Sequence, residues 1–394
     1  MSTLHLEIPH FVDLYRHGRE RLHAGARRAL ERRGDEISVA SAAIPDAAFD
    51  DPRLHAYFHM HDAEMPLMQI VVGYLPPECR PTVTVVADEH GIVHVPRVGQ
   101  WSGLAANERA SLEWRDGWVL QKEPAIADFS PTRRIGVAGI TEIEVVGCAD
   151  PLLRRVLLQG GNRTEDPRIS ECARRHTGTL ERALARMSLL DADYAAEIAR
   201  DGRVLYLFKS AQLLSCANIS AYGAAFLQCE DDASEVFFCE DLAHQVGHVT
   251  FYNVTADPRR CFRIPPQTPV SLVSGDANDS RSLFDALHGN FTVARMVQVF
   301  DALMDASWSP LEYEELRGRF AQALQRLEQG LLSIDDERLF TPEVWAMHRW
   351  FWKLHVATVR RRGPALEGSD LGDQPYVFSW EVYRRRNGLG TAAD

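Results

Sequence analysis

The sequence predicts an α+β protein in which a β-rich N-terminal module precedes a mainly helical half. Short runs of β-branched and alternating apolar residues fall between residues 66 and 147, a pattern typical of strands. After Asp150–Pro151 the apolar residues recur at helical spacing instead. A chain of 394 residues is long enough for two domains, which we expect to span residues 1–147 and 148–394.

The N-terminal module is predicted to begin with an arginine-rich helix over residues 10–35. Turn residues between β-branched runs then indicate two hairpins. The predicted strands are Met68–Val72, Thr82–Val86 paired with Ile92–Val95, Ser111–Trp114 paired with Trp118–Leu120, and Thr141–Val146. Contacts with the substrate or with a leader peptide could lie in this module.

The second half is predicted to be built mostly from long helices. Two short apolar runs, 204–208 and 221–229, are the exceptions and predict buried strands. The predicted helices cover residues 178–200, 234–252, 281–306, 311–332 and 342–361.

Composition excludes several classes of protein. The formal net charge of −12 argues against binding nucleic acid by neutralising phosphates. No apolar run is long enough for a membrane span, and the N-terminus lacks a secretory signal pattern. The seven cysteines form no CxxC pair, so we expect reduced thiols in a cytoplasmic protein. A homodimer is compatible with the sequence.

The motif His244-Gln245-Val246-Gly247-His248 is the sharpest chemical feature of the chain. Two histidines four residues apart lie one turn apart on the same face of a helix, so both imidazoles can reach one metal ion. The pattern is that of H-E-x-x-H, with Gln245 in the place of the glutamate. The predicted helical half is metallopeptidase-like in this respect.

Gln245 changes the chemistry that this motif can support. In H-E-x-x-H peptidases the glutamate is the general base for metal-bound water, and an amide cannot accept that proton. A metal that needs no protein base, such as Fe(II) activating O2, remains compatible with the motif. A zinc hydrolase would require another base, for which Glu240 and Asp241 are the nearest carboxylates.

His288 is the predicted third ligand, on the helix that begins near Ser280. Arg281 precedes His288 by seven residues, and Thr292 and Arg295 follow it by four and seven, all near the same predicted face. Arginines beside a metal ligand suit an anionic co-substrate whose distal carboxylate needs a partner. Were the third ligand a carboxylate, the nearest would be Asp276, Asp279 and Asp285.

Other histidines are weaker candidates for ligands. The run His59-Met60-His61-Asp62 is a second metal-binding pattern, of the kind that a strand could present. His348 and His355 lie on a helix rich in tryptophan, and we interpret them as packed side chains.

The second half, from about Asp150 to Val359, resembles the H-E-x-x-H motif peptide-modification proteins of natural-product biosynthesis, regarded as 2-oxoglutarate-dependent peptide β-hydroxylases. The resemblance rests on an ordered set of segments: Cys148–Leu152, the His244–His248 helix, Ser280–Gly289 and Leu339–Trp345.

The resemblance implies Fe(II) held by His244, His248 and His288, with 2-oxoglutarate as co-substrate. Arg281 or Arg295 would anchor its carboxylate, with Thr292 beside them, and Gln245 and Arg295 would complete the catalytic centre. The expected function is hydroxylation of a peptide or amino-acid side chain by O2. The alternatives are a zinc hydrolase with a non-standard base and a non-catalytic binding protein.

Overall fold

The computed structural model describes residues 10–32, 44–60, 65–121, 127–137, 139, 141–159 and 168–390. Its elements confirm the α+β class, with strands mainly in the N-terminal half. The helices are α1 (Phe11–Glu31), α2 (Pro52–His59), α3 (Leu67–Val71), α4 (Pro151–Gln159), α5 (Ser170–Leu190), α6 (Ala192–Asp201), α7 (Glu235–Thr255), α8 (Ser271–Ser274), α9 (Leu283–Leu303), α10 (Pro310–Ser333), α11 (Pro342–Leu366) and α12 (Trp380–Arg386). None of these helices combines the length and the apolar character that crossing a bilayer requires.

The strands form three small sheets. Two have three strands, in the orders β1-β4-β5 and β2-β3-β6, and one has four, in the order β10-β9-β8-β7. The strands are β1 (Val83–Val86), β2 (Val93–Val95), β3 (Gly99–Ser102), β4 (Arg109–Trp114), β5 (Trp118–Gln121), β6 (Asp128–Pro131), β7 (Arg133–Val137), β8 (Thr141–Val145), β9 (Val204–Phe208) and β10 (Ala224–Gln228).

The chain divides into two compact units. The first, here called the helical unit, comprises Met1–Arg19, Arg182–Ala195 and Ala233–Asp394, and the second, the sheet unit, comprises Glu20–Glu181 and Ala196–Asp232. The strands named above all fall in the sheet unit. The domain boundary predicted after residue 147 falls inside that unit as well.

The predicted strand at Met68–Val72 is wrong, because Leu67–Val71 form α3 and Val72 begins a short 3-10 helix. A continuous apolar run does not distinguish a buried strand from a buried helix. Pro66 precedes the helix, and the buried Gln69 side chain bonds the backbone of Val86 and the carbonyl of His94.

The hairpin predicted between β1 and β2 is also wrong, although both strands exist. β1 pairs with β4, and β2 pairs with β3. Asp88 bonds the backbone N–H groups of His90 and Ile92 through its Oδ1 atom and shapes the intervening turn, after which the chain enters a different sheet. The second predicted hairpin is confirmed, with Trp114 opposite Trp118.

The helix predicted over residues 178–200 is divided in two at Asp191. The Asp191 carboxylate accepts a hydrogen bond from the Tyr194 backbone N–H at 2.9 Å, which caps the start of α6. Helices α7, α9, α10 and α11 and strands β9 and β10 lie close to their predicted positions, whereas α4, α8 and α12 were not predicted.

A buried ion network fixes the end of β8 within the sheet unit. Arg53 Nε lies 2.6 Å from Asp150 Oδ2, and the same guanidinium pairs with Glu144. Asp150 Oδ1 accepts hydrogen bonds from the backbone N–H groups of Leu152 and Leu153 at 3.1 Å and so caps α4. This network holds the segment that joins β8 to α4.

α9 is the central element of the helical unit. It is apolar around most of its circumference and packs against α7, α10 and α11, as expected for a helix enclosed by others. A Cβ atom on Gly330 would lie 1.9 Å from the Asn290 side-chain oxygen, so this glycine permits the close approach of α10 to α9. Asn290 Nδ2 donates to the Gly330 carbonyl at 2.9 Å.

Candidate metal centre

His244 and His248 lie one turn apart on α7, as their spacing predicts. The Ser234 hydroxyl accepts from the Phe237 backbone N–H at 3.0 Å and caps the helix. The two imidazole centroids are 4.9 Å apart, with a 40° angle between the ring planes.

His288 approaches these two rings from α9. A capping box between Ser282 and Asp285 fixes the start of the helix, which places His288 in its second turn. His288 Nε2 lies 2.7 Å from His248 Nδ1, and the two ring centroids are 4.3 Å apart. The three imidazoles predicted from the sequence therefore meet in one cluster, here called the histidine cluster.

Gly247 faces α9 beside this cluster. A Cβ atom built on Gly247 would lie 3.5 Å from Thr292 Cγ2 and 3.7 Å from Arg295 Cγ. These are ordinary van der Waals distances, so a methyl group fits between α7 and these side chains of α9, whereas a larger side chain would not.

Burial keeps the imidazoles of the histidine cluster neutral near neutral pH. Burial lowers the pKa of His248 to about 4. Burial and the neighbouring His248 lower the pKa of His288 well below its ordinary value. Burial, with His248, Arg326 and His288 adding to it, has the same effect on the pKa of His244. Neutral imidazole is the form that binds metal ions.

Aromatic side chains surround His288. The Phe251 ring stacks on the imidazole at a centroid distance of 4.5 Å, and Tyr252 and Phe284 lie at 5.3 and 5.5 Å. These rings fix the orientation of the imidazole and form an apolar wall on one side of the histidine cluster. Such a wall limits the access of water.

The Gln245 side chain points toward Asp241. Its Nε2 atom donates to Asp241 Oδ1 at 3.0 Å and lies 3.3 Å from His244 Nδ1. Its Oε1 atom is buried, with no hydrogen-bond partner among the described residues. The Gln245 amide thus connects the Asp241 carboxylate to the first imidazole of the motif.

The predicted anion-binding residues occupy three different environments. α9 begins at Leu283, so Arg281 lies outside the helix; it is exposed and pairs with Asp279 at 2.6 Å. Arg295 is buried, lies 4.3 Å over the Tyr194 ring and donates to Gln298. Thr292 is buried, and its hydroxyl donates to the Gly289 carbonyl within the helix.

Arg326 on α10 is a cation near the histidine cluster that sequence reasoning missed. It contributes to the lowered pKa of His244. Its guanidinium lies 4.3 Å over the Tyr376 ring, and among the described residues no carboxylate forms an ion pair with it. Arg326 precedes Gly330 by one helical turn, and Gly330 contacts Asn290 on α9. The sequence gives no signal of this, because the electrostatic interaction with His244 is between distant segments.

The alternative carboxylate ligands serve local roles. Asp285 caps α9, Asp279 binds Arg281, and Asp276 accepts a hydrogen bond from the Asn278 backbone N–H. His348 and His355 are buried, as interpreted from the sequence. In the pattern at residues 59–62, His61 and Asp62 lie outside the described residues.

The donor atoms of the histidine cluster suit a divalent metal, but two of its nitrogens lie closer together than two ligands of one metal ion would. Two nitrogens bound to one metal at about 2.1 Å lie about 3.0–3.4 Å apart, whereas His248 Nδ1 and His288 Nε2 are at hydrogen-bond distance. Accordingly, the described part of the chain contains no group of three histidine, cysteine or carboxylate side chains arranged to hold a metal ion. Metal binding would replace the proton shared by these rings and move them apart by a few tenths of an ångström.

Comparisons with known proteins add no relative. No protein-family model matches the chain, and no curated protein matches its sequence. A functional assignment therefore depends on the geometry of the histidine cluster and on the residues that surround it.

Proposed function

We propose that the chain is an Fe(II)- and 2-oxoglutarate-dependent oxygenase that hydroxylates a peptide or amino-acid side chain in natural-product biosynthesis. The observation that supports this proposal is that two helices place His244 beside His248 and His248 beside His288. In this proposal the helical unit is metallopeptidase-like, with the metal on two histidines of one helix and one of the next long helix.

His244, His248 and His288 would hold the metal, and Fe(II) with 2-oxoglutarate would supply the oxidation of an unactivated carbon by O2. The chain's own contribution is to present three neutral donors. The low pKa values of these imidazoles keep their lone pairs available near neutral pH. The aromatic wall formed by Phe251 and Phe284 would keep water away from one side.

We assign the distal carboxylate of the co-substrate to Arg326. This guanidinium has no carboxylate partner among the described residues, whereas Arg281 already binds Asp279. An unpaired guanidinium can form a charge-assisted, bidentate hydrogen bond with a carboxylate. The assignments of Arg281 and Arg295 made from the sequence stay predictions.

The hydrolase alternative is weaker because its carboxylates are already engaged. Glu240 pairs with the buried Arg319, and Asp241 accepts a hydrogen bond from Gln245. A general base must be able to reach the metal-bound water and take its proton. An oxygenase needs no such base, so the surroundings of the histidine cluster favour oxygenase chemistry.

A cytoplasmic location is part of the proposal. All seven cysteines are free thiols, as is usual for proteins of a reducing compartment. The expected partners are O2 and a peptide or amino-acid substrate.

The proposal is tested by spectroscopy without knowledge of the substrate. Metal-free protein is mixed anaerobically with Fe(II) and 2-oxoglutarate, and the visible absorption spectrum is recorded. We expect a charge-transfer band that requires both additions and is absent when zinc or succinate replaces either. A protein that binds zinc, gives no such band and cleaves peptides would support the hydrolase instead, and one that binds neither metal would support the non-catalytic alternative.

A further inference from the structure

A second cluster of reactive side chains lies in the sheet unit, and none of its residues belongs to the histidine cluster. The register of the antiparallel pair β2 and β3 places His94 directly opposite Gln100, so their side chains share a face. Asp88 follows the end of β1, and Cys148 follows the end of β8. We call these four residues the Cys148 cluster.

The members of the Cys148 cluster form a chain of contacts. Cys148 Sγ lies 3.9 Å from His94 Nδ1, and His94 Nε2 lies 2.9 Å from Asp88 Oδ2. Asp88 Oδ1 accepts from the backbone N–H groups of His90 and Ile92, each at 2.9 Å, so the carboxylate is itself fixed. The Cys148 thiol donates to Gln100 Oε1. A nucleophile, a base and an orienting carboxylate are thus aligned in the order that nucleophilic catalysis uses.

His94 is positively charged near neutral pH. Burial by itself favours the neutral ring, but the hydrogen bonds with Asp88 and Cys148 prevail and raise the pKa of His94 to about 10. For Asp88, burial favours the protonated acid, yet the hydrogen bonds from His94, Ile92 and His90 hold the pKa of this carboxyl below its ordinary value. With one ring N–H directed to Asp88, the other is left to face the Cys148 sulfur, where it would stabilise a thiolate.

The other charged groups near His94 are neutralised by one another. Asp150, which contributes to the raised pKa of His94, binds Arg53, and so does Glu144. Arg133 also lines the adjoining cavity and pairs with Glu181. Asp88 is therefore the direct carboxylate partner of the imidazolium.

Cys148 is accessible, unlike the structural cysteines. It is half-buried at the edge of a cavity of about 80 Å³, beside the exposed Gly147. Cys239 and Cys261 are fully buried, and burial raises the pKa of each thiol to about 12. A cavity of this volume admits a short acyl group and not a folded chain.

We propose that Cys148 is the nucleophile of a second active site that transfers or hydrolyses short acyl groups, with His94 as acid–base and Asp88 as its orienting partner. Cys148 reacts as the thiolate, its proton having been released to water, beside the His94 imidazolium. A bond then forms between Sγ and the acyl carbon, the bond from that carbon to the leaving oxygen or nitrogen breaks, and the leaving atom takes the proton from His94. Water or a second acceptor then gives a proton to the neutral His94 and bonds to the acyl carbon, the bond from that carbon to Sγ breaks, and the thiolate beside the imidazolium is restored. The Gln100 amide, turned so that its N–H₂ faces the sulfur, can donate to the thiolate.

The test measures the alkylation rate of each cysteine by iodoacetamide in the full-length protein, with mass spectrometry to resolve the sites. Cys79 is exposed and serves as the internal reference. We expect Cys148 to react about tenfold or more faster than Cys79 at pH 6.5, because a neighbouring imidazolium stabilises the reactive thiolate. Equal or slower reaction of Cys148 would overturn the proposal.

Variants test whether the His94 imidazole causes the fast alkylation of Cys148. His94→Asn should slow labelling of Cys148 by about tenfold or more, and Gln100→Glu should also slow it, by placing a negative charge beside the sulfur. His90→Asn is the matched control, since His90 is exposed and contacts the Cys148 cluster only through its backbone N–H. Labelling of Cys239 and Cys261 reports loss of folding in the same sample. Wild-type rates in folded His94→Asn would contradict the assignment.

The acyl-transfer step has its own readout. p-Nitrophenyl acetate should acetylate Cys148 with release of p-nitrophenolate, giving a thioester that hydroxylamine removes. Fast alkylation of Cys148 without acetylation would overturn the acyl-transfer assignment. None of these measurements requires a metal, so they are independent of the oxygenase proposal.

Discussion

His248 on α7 and His288 on α9 are in direct contact, with Nδ1 of the first ring 2.7 Å from Nε2 of the second. One nitrogen must donate and the other accept, since both rings are neutral near neutral pH. A metal ion could take the place of that proton if the rings separate slightly. The contact is therefore both the strongest support for a metal centre and the feature that metal binding must change.

Replacing Gln245 by glutamate should destabilise the protein. Gln245 Nε2 donates to Asp241 Oδ1, and a second carboxylate there would face the first at about 3 Å in a buried position. We expect Gln245→Glu to lower the free energy of unfolding in urea by about 1–3 kcal/mol. The double variant Asp241→Asn, Gln245→Glu should recover much of this loss because it reverses donor and acceptor. A single variant as stable as the wild type would contradict the role given to this pair.

Gly247 should tolerate alanine but not a large side chain. The contacts of an added Cβ, 3.5 Å or more, are ordinary van der Waals distances, and alanine favours a helix over glycine by about 1 kcal/mol. Gly247→Ala should therefore raise the free energy of unfolding slightly and keep Fe(II) affinity. Gly247→Ile should push Thr292 away and weaken Fe(II) binding, which an anaerobic titration measures. Equal Fe(II) affinity in both variants would show that the helix spacing does not control the histidine cluster.

Substitutions of Arg326 and of Arg281 should differ in their effect on co-substrate binding. Arg326→Gln should weaken 2-oxoglutarate binding to the Fe(II) protein by about tenfold or more, as expected for losing a charge-assisted hydrogen bond. Arg281→Gln is the matched control and should have little effect, because Arg281 is exposed and paired with Asp279. The measurement is a 2-oxoglutarate titration followed by the visible absorption band. The reverse result would favour the assignment of Arg281 made from the sequence.

The His94–Asp88 pair should make stability depend on pH. The pKa of His94 is raised to about 10 in the folded protein, against about 6.5 for an unfolded chain, so folding takes up a proton between these values. The stabilisation by this pair should be complete below pH 6.5 and should disappear as the pH rises toward 10. The free energy of unfolding in urea is measured at pH 6, 8 and 9.5 for the single variant Cys148→Ser and for the double variant that also carries His94→Asn. Because both variants lack the Cys148 thiol, its ionisation does not contribute to the difference between them. A difference in unfolding free energy that is constant or grows with pH would contradict the raised pKa.

The helical half and its histidine cluster were within reach of sequence reasoning. Helix α7 and the four-residue spacing of His244 and His248 obey a local rule, and Ser282 with Asp285 is a recognisable capping box that locates the start of the His288 helix. The choice of His288 as the third ligand was the one step of this prediction that related two distant segments.

The remaining features depend on contacts between distant segments. Arg326 acts on His244 electrostatically from α10, which packs against α9 where Gly330 meets Asn290. The Cys148 cluster requires the register of β2 against β3, which the mistaken hairpin concealed. The length and apolar character of Leu67–Val71 suit a helix and a strand equally, so tertiary packing decides.

Anaerobic Fe(II) binding to the wild type, to His248→Asn and to His288→Asn decides whether the histidine cluster is a metal centre. His355→Asn is the control, because it removes a buried imidazole of the same unit outside the histidine cluster. We expect the wild type and His355→Asn to bind one Fe(II) per chain, and the two cluster variants to bind it about 100-fold or more weakly. Binding of Fe(II) with unchanged affinity by His248→Asn and His288→Asn, or no binding by the wild type, would contradict the proposed metal centre.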